Sequence, residues 1–133
     1  MVSIRVLQAV GTQNAQDWIS RFGFDAEKHP PYLTMALGAG SVTPMQMATG
    51  YSVFASGGYR PKPYFIGRVV DARGTVLTQA KPVRAGDEGA EQVIDPRNAF
   101  IMSSLMRDVV RFGTAARAMQ LKRNDLAGKT GTT

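Results

Sequence analysis

Thr43-Pro44-Met45-Gln46 constrains the fold more than any other stretch of this chain, because three requirements of a helix start coincide within four residues. The threonine hydroxyl can accept from a backbone N–H left free in the first turn. Proline supplies the φ and the missing donor suited to the first helical position, and glutamine three residues after the cap can bond back to the cap's own N–H. A helix is therefore predicted from this point, carrying Met47, Ala48, Tyr51, Phe54 and Ala55 and stopping at Gly57-Gly58. Asp95-Pro96 repeats the cap-plus-proline start. The helix from Pro96 to about Phe112 is expected to bury Phe100, Ile101, Leu105 and Val109, to break at Gly113, and to give way to a short successor capped by Thr114.

The remaining segments read around these two helices. Val2, Val6, Leu7 and Val10 recur at helical spacing until Gly11, so positions 2 to 10 form the tail of a helix. Thr12 is expected to cap the next one, whose Ala15, Trp18, Ile19 and Phe22 make one apolar stripe ending at Gly23, with Trp18 and Phe22 in the core. Asp25 to Tyr32, with Pro30-Pro31, reads as a surface connection. Pro61 and Pro63 forbid helix, and Tyr64 to Val70 and Thr75 to Leu77 are rich in β-forming residues on either side of Asp71-Ala72-Arg73-Gly74, a turn sequence. That pattern predicts a hairpin, followed by a loop over 80 to 92. Leu126 to Thr133 combines small and β-branched residues without helical period and reads as a strand. The fold class is α+β, mainly helical.

Composition excludes several chemistries. A length of 133 residues with 44% hydrophobic residues suits one modest domain or a piece of one. The formal charge of +6 is concentrated late, where Arg97, Arg107, Arg111, Arg117, Lys122, Arg123 and Lys129 face only Asp108 and Asp125 after position 96. Such a balance suits nucleic acid or an acidic partner, but bases spread along helices more often form a solvated face. With no cysteine, neither a disulfide nor a thiolate metal site can form. No stretch approaches the roughly 20 apolar residues of a membrane span, so the chain is expected to be soluble. Residues 1 to 5 lack the order of a signal peptide, and the uncapped apolar start suggests that an upstream portion is missing.

Four further patterns invite nucleotide, metal, triad or binding-surface readings that their context does not support. Gly128-Lys129-Thr130 imitates the end of a phosphate-binding loop, yet Arg123 stands where the leading glycine belongs and no helix pattern follows. Gly38-Ala39-Gly40-Ser41-Val42-Thr43 imitates a dinucleotide fingerprint with threonine in place of the third glycine. His29, the single histidine, precedes two prolines and reads as a surface loop residue, so neither a metal site nor a Ser-His-Asp triad is supported. Met35, Met45, Met47, Met102 and Met106 read as core filler. No cofactor is implied.

One string carries chemistry. Ala127-Gly128-Lys129-Thr130-Gly131-Thr132-Thr133 resembles the third active-site motif of the serine transpeptidases, the penicillin-binding proteins and their β-lactamase relatives. Upstream, Leu37 to Ala48 with its Gly38-Ala39-Gly40-Ser41-Val42-Thr43-Pro44 core, then Tyr51, Phe54-Ala55 and Gly57-Gly58-Tyr59, resembles the segment joining the second and third motifs in bifunctional, class A members. Val2 to Leu7 resembles the helix just after the second motif. The likeness spans nearly the whole chain in family order.

This resemblance implies a partial transpeptidase domain over residues 1–133: a mainly helical fragment of the serine transpeptidase fold, with a hairpin, the Lys-Thr-Gly strand and an incomplete central antiparallel sheet. It implies an enzyme that cross-links peptidoglycan stem peptides through an acyl-serine and binds β-lactams. Lys129 would act in catalysis, the hydroxyls of Thr130 and Thr132 would bind the substrate carboxylate, Gly131 would let substrate lie against the strand, and the Thr132 N–H would be one oxyanion donor. The implied location is the periplasmic face of the inner membrane, through an anchor outside this chain. None of Ser3, Ser20, Ser41, Ser52, Ser56, Ser103 and Ser104 is followed three residues later by lysine, so the nucleophile motif Ser-x-x-Lys is absent, as is Ser-x-Asn. The chain alone is expected to be inactive. The alternative is a basic helical module that binds nucleic acid or an acidic partner; with the motifs in family order, nucleic acid is not the expected partner. A final strand with a bare edge would also favour pairing with a second copy.

Overall fold

The computed structural model describes residues 1–131, which form helices α1 (Val2–Val10), α2 (Thr12–Arg21), α3 (Pro44–Ala55) and α4 (Pro96–Arg111). Three 3-10 turns, Ala26–Lys28, Leu33–Leu37 and Ala116–Leu121, join or follow them. Strands β1 (Tyr59–Arg60) and β4 (Glu91–Gln92) pair antiparallel, as do β2 (Arg68–Val70) and β3 (Val76–Gln79). The class is α+β and mainly helical, as the sequence indicates.

The start of α3 follows the predicted chemistry in full. The Thr43 hydroxyl accepts from the Gln46 N–H at 3.1 Å, and the Gln46 side-chain oxygen accepts from the Thr43 N–H at 2.9 Å. At the other end, Gly58 has φ +103° and its N–H reaches the Val53 carbonyl at 2.8 Å. A Cβ on Gly58 would stand 2.3 Å from the Ile94 carbonyl oxygen, so only glycine lets this turn meet the strand end that leads into α4. The Gly58 carbonyl accepts from Val93 N–H at 2.8 Å and Ile94 N–H at 3.3 Å.

This contact organises the core. Val53, Val93, Ile94 and Ala99 are buried together, with Phe22 of the α2 end and Phe54 of α3 packed against them. The two phenyl rings lie 5.5 Å apart. Arg60 ties the same region to α2: its guanidinium donates to Glu91 Oε2 at 2.6 and 3.1 Å and to the Arg21 carbonyl at 3.0 Å. Residues 91–92, expected in a loop, are therefore a short strand, because the turn at Gly58 brings Tyr59–Arg60 beside them.

The hairpin β2–β3 forms across the predicted turn. Asp71 Oδ1 accepts from the N–H groups of Arg73 and Thr75, each at 2.8 Å, which closes the turn without help from a core.

Several burial expectations are corrected. Trp18 is 44% exposed and lies under the Arg21 guanidinium, 4.3 Å from its ring centroid, so it covers the surface of α2. Thr12 occupies the first helical position after Gly11 and makes no cap bond. Along α4 the buried face is Ala99, Met106 and Val110, whereas Phe100, Ile101 and Leu105 are exposed. Helical period identifies an apolar stripe but not which flank of it meets α3.

His29 is also corrected. It is buried at 9% exposure, not a surface residue. Its Nδ1–H donates to the Asp25 carbonyl at 2.8 Å, its ring packs on Phe24, and Gly40 passes so close that a Cβ there would stand 2.4 Å from the imidazole. Gln16 closes the same loop by donating to the carbonyls of Ala26 and His29 at 2.8 and 3.0 Å. Gly40 thus serves packing against His29, while Gly38, at φ +84°, ends the Leu33–Leu37 turn in the left-handed conformation.

Candidate active site

The Lys-Thr-Gly segment is reached through the C-terminal end of α4. Phe112 N–H still bonds the Asp108 carbonyl at 2.8 Å, after which the chain folds back. Gly113 lies flat on the last turn, where a Cβ would meet the Val109 Cα and carbonyl oxygen at 2.9 Å each. Ala115 N–H then bonds the Val109 carbonyl and Ala116 N–H the Gly113 carbonyl, each at 3.1 Å. Thr114 is fixed between these bonds. Its hydroxyl does not cap the Ala116–Leu121 turn as expected, since Ala115 holds that position without a side-chain bond. The chain reverses again at Lys122, whose φ of +53° is the left-handed value of this turn's end.

Residues 126–131 run back past α4 and are not a strand: no ladder partner lies beside them among the described residues. Two bonds hold them instead. Gly128 N–H donates to the Met106 carbonyl at 3.2 Å, and the Thr130 hydroxyl lies 2.6 Å from that of Thr114.

The segment brings three of the expected site residues together. Lys129, Thr130 and Gly131 are consecutive and exposed. The Lys129 ammonium donates to the Thr130 carbonyl at 2.6 Å, so the cation sits directly over the segment's own backbone. Among the described residues, apart from its chain neighbours, nothing lies within 4 Å of where a Cβ on Gly131 would stand. Thr132, assigned both carboxylate binding and an oxyanion N–H, lies outside the described residues. Beside the segment, Phe54, Ser103, Met106, Arg107, Asn124 and Ala127 border an open cleft of about 550 Å³. Thr114 is the functional candidate that sequence reading missed, because a threonine after a helix-ending glycine carries the signature of a local cap and no sign of a partner 16 residues on.

Two of the seven late cations, Arg97 and Arg123, are engaged by carboxylates. Arg97 donates to both Asp95 oxygens at 3.0 and 2.9 Å, and this pairing, with the Arg97 N–H, holds the Asp95 carboxyl down to about 2. The Arg123 guanidinium does the same for Asp125, which is also lowered to about 2. Both pairs are exposed, so they order loops more than they stabilise the fold. Among the described residues no group of three or more His, Cys, Asp or Glu could hold a metal ion, and no helix is long and apolar enough to cross a membrane.

Comparison with known proteins places this arrangement in context. Residues 1–133 match the family described as Penicillin binding protein transpeptidase domain. The whole chain is 53% identical to 16% of the length of Penicillin-binding protein 1A of Neisseria flavescens. It is 40% identical, over 177 aligned residues, to Penicillin-binding protein 1A of Pseudomonas aeruginosa, of which it covers 22%. The crystal structure of Penicillin-Binding Protein 1A from Haemophilus influenzae matches with a TM-score of 0.91 and 31% identity over 99% of this chain and 24% of that one. The chain thus spans between 16% and 22% of the length of these curated relatives.

Proposed function

The chain belongs to the penicillin-binding protein transpeptidase domain family, and from that premise we propose that it is the Lys-Thr-Gly portion of a serine D,D-transpeptidase. In the reaction, a serine outside residues 1–133 attacks the carbonyl between two D-alanines of a peptidoglycan stem peptide. The terminal D-alanine leaves, and an amine of a second strand then takes the acyl group from the serine. β-Lactams acylate the same serine and remain attached.

The residues of this chain act on the substrate, not as nucleophile. Lys129 supplies positive field beside the reacting centre and takes part in proton traffic. Thr130 and Thr132 donate hydroxyl hydrogens to the substrate's terminal carboxylate. The Thr132 N–H is one of two donors to the oxyanion. Gly131 lets the extended substrate lie against the backbone. The observation that carries this reading is the exposed Lys129-Thr130-Gly131 run, anchored to α4 and its end through the Gly128 N–H and the Thr130 hydroxyl. A resident cofactor has no role in this chemistry.

The class A resemblance supports a parent that is bifunctional, with a glycosyltransferase domain and a membrane anchor that holds it at the periplasmic face of the inner membrane. Its other segments cover the apolar faces that this chain leaves open, above all Phe100, Ile101 and Leu105 on α4. In that full-length enzyme, Lys129→Ala and Thr130→Ala should each slow acylation by a fluorescent penicillin by about tenfold or more. Unchanged rates in both variants would remove this segment from the active site.

A further inference from the structure

We propose that Thr114 is a positioning residue that aims the Thr130 hydroxyl at the substrate carboxylate, an inference that rests on the transpeptidase reading above. The two hydroxyl oxygens lie 2.6 Å apart, within ordinary O–H···O bonding distance. In the free protein either can donate. With a carboxylate bound, only one arrangement remains. A carboxylate only accepts, and Thr130 has a single hydroxyl hydrogen, so Thr130 must give that hydrogen to the substrate. Its oxygen is then free to accept, and the Thr114 hydroxyl is the donor already in place. Thr114 thereby selects the rotamer in which Thr130 donates outward, and the two bonds polarise each other in sequence.

The geometry of the α4 end makes Thr114 suitable for this. Gly113 rests on Val109, and the Ala115 and Ala116 N–H groups are bonded to Val109 and Gly113 carbonyls, so the backbone on both sides of Thr114 is pinned to α4. On the other side of the contact, Gly128 N–H, two residues before Thr130, is bonded to the Met106 carbonyl. One helix therefore holds both the residue that aims and the segment that is aimed. A pre-placed donor of this kind costs nothing to reorganise when substrate arrives.

The test is acylation of the full-length enzyme by benzylpenicillin and by its carboxyl methyl ester, measured for wild type and the Thr114→Val, Thr114→Ser, Thr130→Val and double Thr114→Val/Thr130→Val forms. Thr114→Val should slow acylation by the free acid by about three- to tenfold, the span of one hydrogen bond, and leave the already slower ester reaction unchanged. Thr114→Ser, which keeps the donor, should restore the rate with the acid. The double variant should be no slower than Thr130→Val alone, because Thr114 acts only through Thr130. A Thr114→Val enzyme that loses rate equally with acid and ester, a Thr114→Ser enzyme as slow as Thr114→Val, or additive losses in the double variant would each overturn the inference. So would wild-type rates in Thr114→Val beside a slowed Thr130→Val, an outcome that leaves the transpeptidase reading standing. Wild-type rates in Thr130→Val would overturn the inference together with the carboxylate-binding role given to Thr130, while the transpeptidase reading itself falls only if Lys129→Ala is also unchanged.

Discussion

At the scale of single residues, the chain uses short polar contacts to fix its turns, and their titration is open to measurement. Asp95 and Asp125 are held at about 2 against an ordinary 3.8, chiefly by the guanidinium groups of Arg97 and Arg123. A carboxyl that is lower in the folded state is protonated first in the unfolded chain. The stability it contributes is therefore whole above about 3.8 and is lost as pH falls toward about 2. Carboxyl carbon shifts followed by NMR should place both residues near 2. Arg97→Gln should bring Asp95 part of the way back to 3.8, since the residue 97 N–H still donates to it. An Asp95 that titrates near 3.8 in the unaltered protein would show that the Arg97 pairing does not persist in solution. His29 marks the limit of reading residues singly. A histidine before two prolines has the local signature of a loop, and only the approach of Gly40 and Phe24, set by the path of the chain between α2 and α3, encloses it.

At the scale of elements, local chemistry was legible and partner choice was not. Thr43-Pro44-Met45-Gln46 specifies its own helix start, because every group involved lies within four residues. Thr43→Ala should therefore lower the stability of the folded enzyme by about 1 kcal/mol, read as a fall in the melting midpoint. An unchanged midpoint would mean that the reciprocal bonds between Thr43 and Gln46 do not support α3. The hairpin was legible for the same reason, since Asp71 closes its turn through its own neighbours. On α4 the start at Asp95-Pro96 was legible, but the buried flank was misassigned. Phe100, Ile101 and Leu105 are the larger apolar residues, whereas Ala99 and Met106 are those that fit against α3 and the residues around it. The strand expected at 126 to 133, of which 132 and 133 lie outside the described residues, failed differently over 126–131. Its composition favours extended backbone, but a strand also needs a neighbour, and within the described residues α4 supplies side-chain and single backbone bonds in place of a ladder.

At the scale of the whole molecule, the candidate site could be named from the sequence because it is contiguous: Lys129, Thr130 and Gly131 fall in one string whose likeness does not depend on the fold. The contact between Thr114 and Thr130 could not be, because it arises where the chain turns back at the end of α4. The chain spans 16% of the length of Penicillin-binding protein 1A from Neisseria flavescens and leaves Phe100, Ile101 and Leu105 of α4 exposed. The central claim is that this chain binds and orients substrate while the acylated serine lies elsewhere. It is tested most directly by treating the full-length enzyme with penicillin, digesting it and locating the penicilloyl group by mass spectrometry. The adduct is expected on a serine outside residues 1–133, with the isolated 133-residue chain unlabelled under the same conditions. A stable penicilloyl adduct on Ser3, Ser20, Ser41, Ser52, Ser56, Ser103 or Ser104 would contradict the account.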